Sequence, residues 1–297
     1  MPRFKAEGAF TALATPFNAD GSAIDWSAYE RLIADQLQGR ISGLVPCGTT
    51  GEAPTLSERE QVELIGTTVK LARGQANVLA GVGTNSTSKA VSLAKAAVEA
   101  GADAVMVVMP YYNRPNQQGL IEHVCAVAKV VEVPVVLYNV PTRTAVSLSV
   151  DTTLAILDRC QNVLAVKDAS NNVHYCQELL ARAAGRVQVF SGDDALTLAL
   201  MALGATGVIS VTSNVLPALV TQLVELWLSG KHAEALALHY RLLPVHAAMF
   251  CAPSPVPVKV ALHARGVMEE AVRSPLVPAT AEERAKVLAA LAKIEAS

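Results

Sequence analysis

A single lysine interrupts an apolar, strand-like stretch near the middle of this 297-residue chain. Residues 163–170 read VLAVKDAS, so Lys167 follows four apolar residues and precedes a polar turn. Side chains of a strand alternate between two faces, which places Val163, Ala165 and Lys167 on one face. Burial favours the neutral amine, and such an amine can attack a carbonyl carbon to form a Schiff base. The alternative is a lysine whose stem covers apolar surface while its ammonium reaches water.

Two other segments carry hydroxyl groups that can bind a carboxylate or move a proton. Residues 47–52 read CGTTGE, in which Thr49 and Thr50 lie between glycines that let a backbone approach a ligand closely. A turn leading into a helix N-cap is the alternative there. Residues 110–115 read PYYNRP, and a phenol such as that of Tyr111 or Tyr112 can relay a proton. Packing or an oligomer contact would also explain these tyrosines.

A third motif, YNVPTRT at 138–144, offers an acid/base and a carboxylate-binding group. Tyr138 is a candidate acid/base, and the guanidinium of Arg143 can bind a substrate carboxylate with two hydrogen bonds. A surface salt bridge is the alternative role for Arg143. The sequence SGDD at 191–194 could hold a metal, but an N-cap role for one of its aspartates is favoured. The GVG at 81–83 lacks the rest of a dinucleotide-binding fingerprint.

Strand-like and helical stretches alternate along most of the chain. Eight apolar runs indicate strands at 9–17, 43–48, 77–83, 104–110, 135–141, 163–170, 187–194 and 207–214. The intervening stretches predict helices at 26–38, 57–73, 87–100, 119–129, 150–159, 173–184 and 195–203. Eight such units predict an α/β fold, a (β/α)8 TIM barrel with parallel strands. A further helix is predicted at 217–229.

The chain divides near residue 230. Residues 1–229 are predicted to form the catalytic barrel and 230–297 a small all-helical C-terminal domain, with helices at 232–243, 258–265 and 281–296. In such a barrel the active site lies at the C-terminal ends of the strands. This rule selects Thr49 and Thr50 after the second strand, Tyr111 and Tyr112 after the fourth, Tyr138 within the fifth, Lys167 in the sixth, Gly192 after the seventh and Ile209 in the eighth.

Composition excludes several classes of protein. The chain is 52% apolar and 17% charged with a net charge of -2, which indicates a globular protein and gives no sign of nucleic-acid or membrane-surface binding. Its N-terminus lacks the apolar core of a signal peptide, and no stretch is long enough to span a membrane. The five widely spaced cysteines predict reduced thiols and a cytoplasmic location. Histidines at 232, 239 and 246 share a spacing of seven, but Pro244 should interrupt their helix.

The motifs GTTGE, PYYNRP, YNVPTRT, VKDAS, SGDD and GVISVTSN occur in this order, and together they resemble one family. The chain is similar to the dihydrodipicolinate synthases, pyruvate-dependent class I aldolases of the N-acetylneuraminate lyase superfamily, over nearly its whole length. GTTGE and the strand lysine are shared across that superfamily, whereas YNVP-x-RT with the paired tyrosines is more specific.

The resemblance implies a Schiff-base mechanism without a metal or organic cofactor. Lys167 would form the imine with pyruvate, and Tyr138 would donate and accept protons. Thr49 would connect Tyr138 to Tyr112 of a neighbouring subunit, and Thr50 would bind the pyruvate carboxylate.

The resemblance also implies further substrate contacts, a second substrate and an assembly. Ile209 would lie against pyruvate through its backbone, and Arg143 would meet the carboxylate of L-aspartate 4-semialdehyde. The resemblance implies a homotetramer built as a dimer of dimers, acting in lysine biosynthesis through diaminopimelate.

Some positions depart from the family pattern. Asp168 replaces a glutamate found after the lysine in many members. The positions matching the lysine-feedback site of some bacterial members are Glu58 and Lys89, which predicts weak or absent inhibition by lysine.

Two other functions compete with synthase activity. One is a pyruvate aldolase of the same superfamily acting on a sugar acid or 4-hydroxy-2-oxoglutarate, against which Arg143 and the tyrosine pair argue. The other is a non-catalytic homologue that binds a keto acid. The joint presence of Lys167, Tyr138, Thr49 and Tyr112 argues against this second alternative.

Overall fold

Eight parallel strands close into a barrel, as the sequence predicts. The computed structural model describes residues 4–295, and in it each strand pairs with the next and the eighth pairs with the first. The strands are β1 (Gly8–Ala12), β2 (Gly43–Val45), β3 (Asn77–Gly81), β4 (Ala104–Val108), β5 (Val135–Asn139), β6 (Val163–Asp168), β7 (Gln188–Ser191) and β8 (Gly207–Ser210). The barrel closes where β1 meets β8, because Gly207 has no Cβ to collide with the carbonyl oxygen of Gly8.

Helices follow the strands and continue after the barrel. They are α1 (Trp26–Gln38), α2 (Glu58–Ala72), α3 (Thr87–Glu99), α4 (Gln117–Ala128), α5 (Pro141–Thr144), α6 (Val150–Arg159), α7 (Val173–Ala183), α8 (Thr197–Ala202), α9 (Pro217–Leu228), α10 (His232–Ala248), α11 (Val256–Ala264) and α12 (Ala281–Glu295). Short 3-10 turns lie at Ala53–Thr55, Asp194–Leu196 and Thr212–Asn214. The turn at Asp194–Leu196 replaces the first part of the helix predicted at 195–203.

The strands are shorter than the apolar runs that predict them. The second run was expected to reach residue 48 and ends as a strand at Val45, and the eighth was expected to reach 214 and ends at Ser210. The residues beyond each end are nevertheless buried, as Cys47 and Val211 are. The chain therefore stays buried after its strand pairing stops, so hydropathy alone does not mark where a strand ends.

Two separate apolar cores stabilise this fold. The larger lies between the outer face of the barrel and the helices, and it includes Val166 of β6. The smaller fills the barrel and includes Phe10, Val136, Ala165 and Phe190. Because Ala165 and Val166 belong to different cores, β6 alternates between the two faces as predicted, and Lys167 shares the interior face with Ala165.

The prediction that Pro244 interrupts the helix at its position is wrong. The helix α10 runs from His232 to Ala248 with Pro244 inside it. Proline removes one backbone hydrogen bond, but Leu242 and Val245 on either side are fully buried, and this packing outweighs the loss. The rings of His239 and His246 lie 6.1 Å apart, whereas His232 packs on Trp227 instead.

Helix α12 packs against both α10 and α11, and α10 also packs against α9. A domain boundary at residue 230 stays a prediction. Within residues 4–295, we find no helix with the length and apolar character needed to cross a bilayer.

Candidate active site

Lys167 and Tyr138 are direct neighbours inside the barrel. They occupy paired positions in the register of β5 and β6, and both side chains face the interior. The Lys167 amine lies 4.3 Å from the centroid of the Tyr138 ring, and the lysine is 5% exposed. Among the residues 4–295, no carboxylate forms an ion pair with this amine. A buried amine beside a phenol, without a fixed counter-ion, is suited to attack a carbonyl compound.

Asn139 and Asp168, which follow Tyr138 and Lys167 in the sequence, connect the ends of β5 and β6 by a hydrogen bond. Asn139 Nδ2 donates to Asp168 Oδ1 at 3.2 Å, and Asn139 Oδ1 accepts from the backbone N–H of Leu148 at 3.0 Å. The carboxylate of Asp168 also accepts from the N–H and hydroxyl of Ser170. Burial raises the pKa of Asp168. These bonds lie on the opposite face of the strands from Lys167, so they fix the strand ends without occupying the barrel interior.

The CGTTGE segment forms a compact loop after β2, here called the hydroxyl loop (residues 47–52). Its backbone is closed by bonds from the N–H of Gly51 to the carbonyl of Gly48 and from the N–H of Glu52 to the carbonyl of Thr49, each 3.1 Å long. The strand β3 passes so close that a Cβ on Gly81 would lie 2.2 Å from the carbonyl oxygen of Cys47. The alternative that this segment supplies a helix N-cap is wrong, because the Glu52 side chain makes no capping bond to the 3-10 turn that follows and α2 is capped by Ser57, outside the segment.

A cavity of about 400 Å³ opens at the C-terminal end of the barrel. Thr49, Tyr138 and Arg143 contribute to its wall, whereas Lys167 lies beside it in contact with Tyr138. Glu58 and Lys89 line the same cavity farther out. The size suits a small organic substrate, and the wall carries both a proton-transfer group and a cation.

Three predicted site residues, Thr50, Ile209 and Gly192, do not line this cavity. Thr50 and Ile209 are buried, and Ile209 is part of the apolar core inside the barrel. The N–H of Gly192 donates to the carbonyl of Asp168 at 2.7 Å, and a Cβ at Gly192 would lie 2.7 Å from that of Ala169. The glycine therefore lets the end of β7 approach the segment just after Lys167.

The paired tyrosines of PYYNRP have different positions. Tyr111 lines the cavity, whereas Tyr112 is 90% exposed and has a backbone φ of 71°. That left-handed conformation is uncommon for a tyrosine. Within one chain, Tyr112 is thus separated from Thr49 and Tyr138, with which the sequence analysis associates it.

The SGDD segment supplies a cap and a buried structural carboxylate. Asp193 accepts from the N–H of Ala195, as expected for a helix cap. Asp194 is buried and accepts from the hydroxyl of Ser210 and from the N–H groups of Val211, at 2.9 Å, and Thr212, at 3.2 Å. It fixes the chain just after β8. In the described part of the chain, no group of three His, Cys, Asp or Glu side chains is arranged around a metal position.

Sequence reasoning missed a buried ion pair at the end of the hydroxyl loop. Glu52 Oε1 lies 2.6 Å from the amine of Lys259 in α11. Lys259 stands in the apolar stretch VPVKVALHA, and an isolated lysine in an apolar run is the same signal that identified Lys167. Applied to the whole chain, that signal would have found both lysines, although it would not have identified the partner of either.

Comparison with known proteins assigns the family. A family model described as the dihydrodipicolinate synthetase family matches residues 5–294. A 4-hydroxy-tetrahydrodipicolinate synthase from Sorangium cellulosum is 52% identical over 296 residues, covering 100% of this chain and 98% of the relative.

Solved structures agree with this assignment. The 4-hydroxy-tetrahydrodipicolinate synthase of Methylacidiphilum fumariolicum matches with a TM-score of 0.96 at 40% identity, covering 98% of this chain and 97% of the other. The dihydrodipicolinate synthase of Acinetobacter baumannii, solved with pyruvate, matches with a TM-score of 0.95 at 37% identity, covering 98% and 99%. The full-length family match, the identity of the relatives and the shared fold lead to one conclusion: this chain belongs to the dihydrodipicolinate synthetase family.

Proposed function

We propose that this chain is a lyase that condenses pyruvate with L-aspartate 4-semialdehyde to give 4-hydroxy-tetrahydrodipicolinate, in the diaminopimelate route of lysine biosynthesis. The observation that carries the proposal is the buried Lys167 amine, 4.3 Å from the centroid of the Tyr138 ring and free of an ion pair within residues 4–295. Family membership supports the reaction, and this geometry supports the assignment of Lys167 as the Schiff-base residue.

The first half of the reaction makes a nucleophile from pyruvate. The amine of Lys167 attacks the keto carbon, and loss of water leaves an imine. The imine withdraws electrons, so the methyl group loses a proton and an enamine forms. A phenol that repeatedly takes and returns protons can serve each of these steps, and Tyr138 is adjacent to the amine.

The second half joins the two substrates and releases the enzyme. The enamine carbon attacks the aldehyde of L-aspartate 4-semialdehyde, which forms the new carbon–carbon bond and regenerates the imine. The amino group of the bound substrate then attacks the imine carbon. Ring closure breaks the bond to Lys167 and returns its amine for the next cycle.

Carboxylate recognition is assigned to two separate groups, one in the hydroxyl loop and one in the cavity wall. Thr50, in the hydroxyl loop, is proposed to bind the pyruvate carboxylate, with the backbone near Ile209 and Gly192 enclosing the keto acid. Arg143 is exposed at the cavity wall, where its guanidinium can bind the carboxylate of the second substrate with paired hydrogen bonds.

The role proposed for Tyr112 requires that the chain form an oligomer. Its 90% exposure in one chain fits a role in the site of a neighbouring subunit, where it would complete the relay with Thr49 and Tyr138. We therefore propose a homotetramer made of two tight dimers. Sedimentation of the parent and a Tyr112→Phe variant tests this proposal: an active monomer contradicts it, whereas an assembled, weakly active variant supports it.

A cytoplasmic location is proposed together with the activity. The five cysteines are free thiols, as expected for a protein kept in a reducing compartment.

The decisive experiment is the condensation of pyruvate with L-aspartate 4-semialdehyde, coupled to a reductase, with Lys167→Ala as the control. Turnover that the substitution abolishes supports both the reaction and the role of the lysine. If turnover is absent while borohydride still traps pyruvate on Lys167, the second substrate is wrong. Sugar acids and 4-hydroxy-2-oxoglutarate would then be tested in the cleavage direction.

A further inference from the structure

The hydroxyl loop ends in a carboxylate that is held from the other end of the chain. Glu52 follows Thr50 by two residues and is 3% exposed. Its carboxylate accepts from the Lys259 amine at 2.6 Å and from the backbone N–H of Arg273 at 2.9 Å. We call Glu52, Lys259 and Arg273 the loop anchor.

Lys259 is the buried cation of this anchor. It is 0% exposed, and its amine also donates to the carbonyl of Ala271 at 2.7 Å and lies 4.2 Å from the centroid of the Phe17 ring. Burial lowers the pKa of Lys259 to about 8. A carboxylate, a carbonyl and a ring face thus surround the amine, so its position and that of Glu52 are fixed together.

Arg273 holds the chain just beyond the loop. Its guanidinium donates to both carboxylate oxygens of Glu60, at 2.9 and 2.6 Å, and to the carbonyl of Thr55 at 3.1 Å. It also lies 4.4 Å from the centroid of the Phe17 ring. The anchor therefore contacts the end of the hydroxyl loop and the segment after it at three residues, Glu52, Thr55 and Glu60.

The backbone of the hydroxyl loop needs such support. Cys47 and Glu52 both have a φ of 57°, a left-handed conformation that is disfavoured for residues other than glycine. Residues in this region persist where their surroundings over-determine them. Thr15 holds the loop from the barrel side through a 2.7 Å bond to the carbonyl of Gly51. The anchor holds the next residue, Glu52, through its carboxylate.

A buried ion pair contributes little net free energy to folding. The cost of removing two charges from water often equals or exceeds their attraction, and a packed apolar pair would stabilise a core as well. An ion pair does, however, require one definite geometry of its donors and acceptors. Here the ion pair fixes the position of Glu52, whose backbone N–H donates to the carbonyl of Thr49.

We propose that the loop anchor is a positioning device for the two hydroxyl groups of Thr49 and Thr50, by which the C-terminal helices set the affinity for the keto acid. Glu52, Lys259 and Arg273 are positioning residues that act through the backbone of the hydroxyl loop. The inference rests on the proposed roles of Thr49 and Thr50.

The test compares Lys259→Met with Val287→Ala. Val287 is fully buried in α12, so its truncation destabilises the same group of helices without touching the hydroxyl loop. The readout is the pyruvate concentration that gives half-maximal borohydride trapping on Lys167, measured well below the melting temperature of each variant. We expect about a tenfold increase for Lys259→Met, which is about 1.4 kcal/mol of pyruvate binding, and no change for Val287→Ala.

The trapping readout separates this inference from the proposed reaction. It needs pyruvate alone, so it works whatever the second substrate is. A lower melting temperature for Lys259→Met with the half-saturating concentration of the parent would overturn the anchor's positioning role. Failure of the parent to condense pyruvate with L-aspartate 4-semialdehyde would contradict the proposed function and leave the trapping comparison intact.

A double variant keeps the test decisive if Lys259→Met does not fold. Glu52→Gln combined with Lys259→Met leaves no buried, unpaired charge at the site, so its fold should be retained. We expect its half-saturating concentration to stay raised, because the link to the loop is lost. Recovery of the parent value in this folded double variant would overturn the proposal.

Discussion

Two lysines of this protein are buried in apolar surroundings, and they differ in what faces the amine. Lys259 in α11 meets a carboxylate, a carbonyl and a ring, so each side of its amine is occupied. Lys167 in β6 meets the ring of Tyr138 beside a cavity. An apolar run around a lysine therefore identifies burial and not chemistry. The distinction lies in whether the amine is already paired, because a paired ammonium is unavailable as a nucleophile.

The largest expected difference between the two lysines comes from the same substitution at both positions. Lys167→Met should abolish turnover and leave the melting temperature at or above that of the parent, because it replaces an unpaired buried amine by an apolar group. Lys259→Met should lower the free energy of unfolding by about 3–5 kcal/mol, since it strands the Glu52 carboxylate in the interior. Urea unfolding and the coupled assay measure both effects. Equal destabilisation by the two substitutions would remove the distinction.

A smaller effect is expected when the neighbour of Lys167 is changed. Tyr138→Phe keeps the ring beside the amine and removes the hydroxyl, so the fold should be unaffected. We expect kcat to fall by about 10²–10⁴-fold, the usual contribution of a general acid/base. Steady-state rates give this value, and borohydride trapping should still label Lys167. A kcat close to that of the parent would show that another group transfers the proton.

At the outer side of the loop anchor the expected effect is smaller still and depends on pH. Hydrogen bonds from Arg273 lower the pKa of Glu60 from 4.5 to about 2. A carboxyl group whose pKa is lower in the folded state stabilises the protein above pH 4.5 and loses this contribution as the pH falls towards 2. Glu60→Gln should therefore cost about 1 kcal/mol near pH 7, because the pair is partly exposed, and less than half of that near pH 3. Urea unfolding at the two pH values measures this, and a cost independent of pH would contradict it.

A third lysine gives the smallest expected effect. Lys89 is exposed and lines the outer part of the cavity together with Glu58. Because a cation at that place disfavours a second one, micromolar to millimolar L-lysine should leave the initial rate nearly unchanged. A steep fall in rate over that range, absent in assays with L-alanine, would refute this prediction.

The sequence predicts the barrel well because each unit carries its own signal. The order of the eight strands and the interior position of Lys167 follow from apolar runs and from alternation within one strand. The pairing of Lys167 with Tyr138 needs only the additional rule that neighbouring parallel strands meet in the barrel. These inferences use local patterns, which a single sequence displays directly.

What the sequence did not predict depends on contacts between distant positions. Glu52 and Lys259 are 207 residues apart, and neither stretch reveals the charge that compensates it. Helix α10 continues through Pro244 because its neighbours are buried, which is a tertiary effect. The partner proposed for Tyr112 belongs to a neighbouring subunit. In each case the local sequence pattern does not show which distant group a residue contacts.

The residues of the loop anchor lie far apart in the sequence, and this affects how a newly synthesised chain folds. Glu52 must wait for Lys259 and Arg273, which follow it by 207 and 221 residues. Contacts of such high order form late, after local helices and neighbouring strands have paired. A nascent chain on the ribosome can therefore assemble much of the barrel while its hydroxyl loop is still unsupported. Under the proposed positioning role, the hydroxyl loop becomes competent to bind the keto acid only once Lys259 and Arg273 have docked on Glu52.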